Sequence, residues 1–231
     1  GAAFGCALST ALVPSLPVQV AAFAFSLAAS FVTYSLAKSQ GQVSRLPLVL
    51  SGVVVSAFFT ALVSILKFLV DPHKLASIVY WLLGSFSLSD WPSVGIAAAG
   101  LGIACVPLIF MRWRLNALSM GEEDARSLGI PVERDRLLFI GAASLAVGSA
   151  VSVSGIIGFV GLMVPHAVRM FTGPDHRYVM PLSFLAGGIY LIAVDLIAKT
   201  IAMPLEMPIG VITSALGGPF FIYILRKKGA V

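Results

Sequence analysis

A chain of 231 residues that is 58% hydrophobic and only 11% charged is not a water-soluble globule, since soluble domains carry about 25% charged residues. A mean hydropathy of +0.99, with apolar runs near the ~20 residues that cross about 30 Å of hydrocarbon, indicates an all-α, polytopic transmembrane helical bundle. The runs do not alternate as barrel strands would. The net charge of +5 sits at the ends of apolar spans, so it reads as membrane topology and excludes a nucleic-acid surface.

The chain opens on GAAFGCALSTALV, without an initiator Met and without the basic region of a signal peptide, which reads as the interior of a longer protein. Eight apolar segments can cross a bilayer. The first, residues 1–13, is short; the second covers 17–37 and the third 46–69. The apolar piece 75–83 is too short to span and is expected at the membrane interface, with Tyr80 and Trp81 at headgroup level. The fourth segment, 92–111, starts after Asp90 and closes on Arg112, Trp113 and Arg114. The charged block GEEDARSLG at 121–129 follows, then Pro131 and a second charged group, Glu133 to Arg136. The remaining segments are 137–154, the short glycine-rich 157–170 with Pro165, 179–198, and 208–225, which ends in Arg226-Lys227-Lys228.

Lysine and arginine decide the orientation. Twelve of the 15 fall at one set of ends, from Lys38 and Arg45 to Arg226, Lys227 and Lys228; only Lys67, Lys74 and Lys199 fall at the other. The charged block and the C-terminus are therefore expected in the cytoplasm. The same count makes the sixth segment cross, since otherwise the C-terminal cations would face outside. Its irregular backbone is expected within protein, not against lipid.

Little in the chain offers covalent chemistry. There is no G-x-x-x-x-G-K-[ST] loop for ATP, no H-E-x-x-H and no G-x-S-x-G, and His73, His166 and His176 are too scattered for a metal site. Cys6 and Cys105 read as small buried hydrophobes. Lys67, Asp195, Lys199 and Glu206 are candidates for an ion relay, but each lies near the outer end of its span, and Asp195 and Lys199 are spaced i, i+4 for a helix-face pair. An ion-coupled secondary transporter is the alternative reading, and it would need charges nearer the midplane.

The specific signals are GIIGFVGLMVPHAVR at 155–169, GPDHRYVMPLS at 173–183, EMPIGVITSALGGPFFIYILRK at 206–227, SIVYWLLGSFSLSDW at 77–91 and GEEDARSLGI at 121–130. Together they resemble the permease subunits of type II ABC importers, the FecCD-like family for iron-siderophores, haem and cobalamin. The resemblance covers residues 1–231 as one permease domain. It implies spans three to ten of a ten-span fold, the first two being absent from this chain.

The resemblance also implies roles. Glu122, Glu123, Asp124, Ala125, Arg126, Leu128 and Gly129 would form a cytoplasmic coupling helix seated in a partner ATPase. Acids at its start suit the helix dipole, and Gly129 suits its C-terminal stop. Val43 and Ser44 align with a cytoplasmic gate, although Ser44 reads equally as an N-cap of the third span. Lys199 aligns with a basic position that docks the substrate-binding protein. Gly158, Gly161, Pro165, His166 and Arg169 carry the family motif, and His166 reads as structural and not as a haem ligand.

The partners implied are a cytoplasmic ABC ATPase that holds ATP and Mg, a periplasmic or lipid-anchored binding protein, a second permease copy and membrane lipid. The chain itself is expected to bind no cofactor and no metal. The location implied is the bacterial or archaeal cytoplasmic (inner) membrane. The activity implied is import of a ferric siderophore, haem or cobalamin by alternating access.

Overall fold

The computed structural model describes residues 1–39, 42–43, 45–87, 89–201 and 206–228. Eleven helices account for nearly all of it: α1 (Ala2–Leu12), α2 (Val18–Ala37), α3 (Arg45–Leu69), α4 (Pro72–Leu82), α5 (Trp91–Phe110), α6 (Arg112–Met120), α7 (Glu122–Ser127), α8 (Val132–Ser154), α9 (Val160–Thr172), α10 (His176–Ile201) and α11 (Ile209–Lys228). Between α2 and α3, β1 (Lys38–Ser39) pairs antiparallel with β2 (Gln42–Val43), Lys38 opposite Val43.

Five helices, α2, α3, α5, α8 and α10, are long and apolar enough to cross a membrane. Their large side chains point outward: Phe58, Ile103, Ile189 and Leu196 are all exposed. In water such a surface would drive aggregation; in lipid it is already solvated, and helix association rests on close packing by small residues. The buried positions are small accordingly, including Ala7, Ala21, Ala22, Ala104 and Ala198.

The helices form two groups. In the first, α2 packs against α1, α3 and α8, and α8 against α5. In the second, α10 packs on α9 and α11. The 13 residues of α9 reach only about 20 Å, less than the hydrocarbon thickness. With the irregular stretch 155–159, α9 leads from Gly155, beside Gly84, to Gly173 just ahead of Asp175, which meets Asn116. Leu162 and Phe171 are exposed along it in the single chain.

One end of the bundle is knotted by backbone. Ser85 N–H donates to Ser154 O at 2.9 Å, and Gly210 N–H donates to Leu83 O at 3.1 Å. Gly155 adopts φ 68°, ψ −162°, a region only glycine occupies freely, and a Cβ there would lie 2.3 Å from Trp81 O. A Cβ on Gly210 would lie 2.2 Å from Leu83 O. Gly155→Val is therefore expected to cost about 3 kcal/mol or more, from strain and overpacking together. Thermal unfolding in detergent measures it, and an unchanged Tm would contradict the packing described.

Ile78 is fully buried with Ala7, Val63 and Leu66, which ties α4 to α1 and α3. Trp81 is half-buried and lines a cavity of about 200 Å³ with Thr10, Gln19 and Ser85. Asp71 caps α4 by accepting from His73 N–H and Lys74 N–H, both at 3.1 Å. Those bonds hold its carboxyl below the usual range. The outward tryptophans are Trp91 and Trp113, one near each end of α5, where an amphipathic ring suits an interface.

Candidate functional site

At the end opposite the glycine knot, α6, α7 and the start of α8 make a compact charged platform. Their apolar heart is Ala117, Ala125, Ile130 and Val132. Ala125 is fully buried, because a larger side chain would separate α7 from α6. The six-residue α7 carries Glu122, Glu123 and Asp124 in its first turn, where they offset the unpaired N–H groups.

The C-terminus of α7 closes with two bonds of a Schellman motif. Ile130 N–H donates to Ala125 O at 3.1 Å and Gly129 N–H to Arg126 O at 2.9 Å. Gly129 supplies the positive φ, 77°, that this turn needs. The turn buries Ile130 and leaves Leu128 65% exposed beside it.

Ion pairs fix the platform. Arg136 pairs with Glu122, and Arg126 with Glu133 at 3.1 Å. The Arg126–Glu133 pair is exposed and contributes orientation more than energy, whereas the Arg136 side chain is largely buried. Arg114 differs: its Nη1 donates to both carboxylate oxygens of Asp135, at 2.9 and 3.0 Å, and the Asp135 side chain is completely buried. That bond joins α6 to α8. Asn116, one turn-half further along α6, joins the platform to α10 through Asp175 and His176. The Asp175 carboxyl is held well below its ordinary range, chiefly by the Arg177 side chain and then by Arg177 and Asn116 hydrogen bonds.

The other singled-out residues lie apart from the platform or only partly near it. Gly158 faces Ser214, Gly161 has open space around it, and Pro165 sits within α9. His166 meets Phe220 edge-on at 6.4 Å, a packing contact, and Arg169 is exposed in the last turn of α9. Lys199 lies at the far end and pairs with Asp195 at 2.8 Å. Glu206, at that same end, accepts from the Ser87 hydroxyl. Val43 pairs with Lys38 in the short ladder, and Ser44 lies outside the described residues. Among the described residues no group of His, Cys, Asp and Glu could hold a metal ion.

Sequence reasoning passed over α6 and with it Arg114, Asn116 and Asp135. The available signal was Asn116 standing among apolar residues in RWRLNALSM, two turns before the charged block.

Residues 1–227 match the FecCD transport family. The chain belongs to that family. FecCD relatives include a permease protein named for an iron chelatin transport system of Helicobacter pylori, 43% identical over 99% of this chain and 70% of its own length. The cobalamin import system permease BtuC of Halobacterium salinarum is 41% identical over 99% of this chain and 62% of its own length. A solved structure of a metal-chelate type ABC transporter in an inward-facing conformation superposes with a TM-score of 0.87 at 33% identity, covering 98% of this chain and 73% of that one. The chain thus spans about two thirds of the length of the FecCD permeases it matches.

Proposed function

We propose that this FecCD chain is the membrane-spanning permease subunit of an ATP-driven importer for a metal chelate. Its segments serve as family spans three to ten. The observation that carries the reading is the family match over residues 1–227, joined to a rigid charged platform that ends in the exposed Leu128.

A cytoplasmic ABC ATPase holds ATP and Mg and receives Glu122 to Gly129 in a surface cleft. Its closure displaces α7, and α6 moves with α7 because Ala117 and Ala125 share one core. Two permease copies enclose the pathway, and a substrate-binding protein delivers the chelate at the glycine-knot end. The cation asymmetry supports a cytoplasmic platform and C-terminus in the inner membrane. Relatives named for iron chelatin, cobalamin and hemin support a metal-chelate cargo.

ATP-driven uptake of a ferric chelate into proteoliposomes containing the full permease, its ATPase and its binding protein tests this reading. Uptake that follows a proton or sodium gradient without ATP would replace it with the ion-coupled alternative.

Lys199 serves in docking the binding protein. It is 44% exposed, and the Asp195 pair, a surface i, i+4 contact worth a few tenths of a kcal/mol, leaves it free to exchange partners. Lys199→Glu is expected to weaken docking about tenfold, the effect of ~1.4 kcal/mol. Unchanged docking in surface plasmon resonance would reduce Lys199 to a helix-face pair.

A further inference from the structure

Asn116 lies outside the Glu122–Gly129 block, and its amide bonds two consecutive residues at the start of α10, Asp175 and His176. Oδ1 accepts from His176 N–H at 2.8 Å and lies 2.7 Å from His176 Nδ1; Nδ2 donates to Asp175 Oδ1 at 2.7 Å. A backbone N–H can only donate, so the amide orientation is fixed, and His176 carries its proton on Nδ1. Asp175 is held in turn by Arg177 N–H and Arg177 Nε, at 2.9 and 3.2 Å to the same Oδ1.

The position matters more than the bonds. Helix α6 packs against α7 on one side and α10 on the other. It carries two anchors in one turn: Arg114 grips Asp135 of α8, and Asn116 grips the first residues of α10. Helices α8 and α10 belong to the two different packing groups, and both run to the glycine-knot end. The 26 residues of α10 make a lever about 39 Å long.

We propose, on the importer reading above, that Asn116 is the positioning residue that transmits displacement of α7 to α10. The bond ties the ATPase-driven platform to the second helix group, so that both groups move when α7 moves. Without it, α6 would meet α10 through packing contacts only, and α10 would lag.

The test uses the full permease with its ATPase in lipid nanodiscs, with Cys6→Ala and Cys105→Ala as background. Spin labels are placed at positions 68 and 201, where Phe68 and Ile201 are exposed at the far ends of α3 and α10. Vanadate-trapped nucleotide is expected to shift the label–label distance in this background. Asn116→Ala is expected to keep ATPase capture and ATP hydrolysis within twofold while the shift is lost. The exchange Asn116→Asp with Asp175→Asn reverses donor and acceptor and is expected to restore the shift, whereas Asn116→Asp alone sets two carboxylates together and does not.

A normal shift in Asn116→Ala overturns the transmission role. So does loss of ATPase capture in parallel with the shift, which marks a purely structural residue, or failure of the exchange to restore it. No shift in the unmutated chain sinks the ATP-driven reading itself and the transmission role with it.

Discussion

Leu128→Asp is expected to reduce capture of the ATPase at least 100-fold while the permease still inserts and folds. Leu128 is exposed and contributes nothing to the Ala117–Ala125–Ile130–Val132 core, so the monomer loses little. In the complex the change removes burial worth about 1.5–3 kcal/mol and introduces a carboxylate that must be desolvated. A loss of ~2.8 kcal/mol corresponds to 100-fold in affinity.

Gly129 provides a second arm. Its φ of 77° makes any side chain strained, yet a Cβ there meets nothing within 4 Å in this chain. Gly129→Ala is expected to cost about 1 kcal/mol of local stability and retain capture. Gly129→Trp is expected to lose capture, since a bulky ring beside Leu128 would obstruct the proposed contact. Co-purification of tagged permease with the ATPase distinguishes these, and normal recovery with both Leu128→Asp and Gly129→Trp would refute the role of α7.

Arg114→Met is expected to destabilise the protein by about 3–5 kcal/mol, the second large effect. The loss comes mainly from what remains: Asp135 is fully buried, and both of its oxygens lose their cation. Lysine does not substitute well, because an ammonium lacks the flat, delocalised geometry with which guanidinium meets a carboxylate. The double change Arg114→Met with Asp135→Leu removes the buried charge as well and is expected to recover most of the stability. Thermal unfolding in detergent reads both. A single variant as stable as the parent, or a double variant no better than the single, would show that the pair is not the anchor between α6 and α8.

Several features of the fold were legible because membrane solvation acts on composition. Long apolar runs became α2, α3, α5, α8 and α10, and Gly129 ended α7 in the left-handed turn that its place after a short charged helix suggested. The coupling role proposed for GEEDARSLG rests on resemblance, and the structure adds a packed apolar core beneath it.

Other features depend on pairings that hydropathy does not encode. The stretch RWRLNALSM looks like the polar end of a span, but Arg114 and Asn116 find Asp135 and Asp175 far along the chain and make it a separate helix. Glu133 to Arg136, read as a second charged group ahead of the span 137–154, belong to the start of α8, where Glu133 and Asp135 sit at the helix N-terminus. The close approach of the Trp81 carbonyl to Gly155, 74 positions away, is likewise revealed by no local pattern.

The central claim is that energy enters this chain at the α7 platform, at the opposite end from Lys199. A photo-crosslinking side chain at position 128, with a matched control at position 201 on the far end of α10, tests it in intact membranes holding the ATPase. The account predicts an adduct with the ATPase from position 128 and none from position 201. An adduct from position 201, or none from position 128 in a membrane where ATP-driven uptake proceeds, would contradict it.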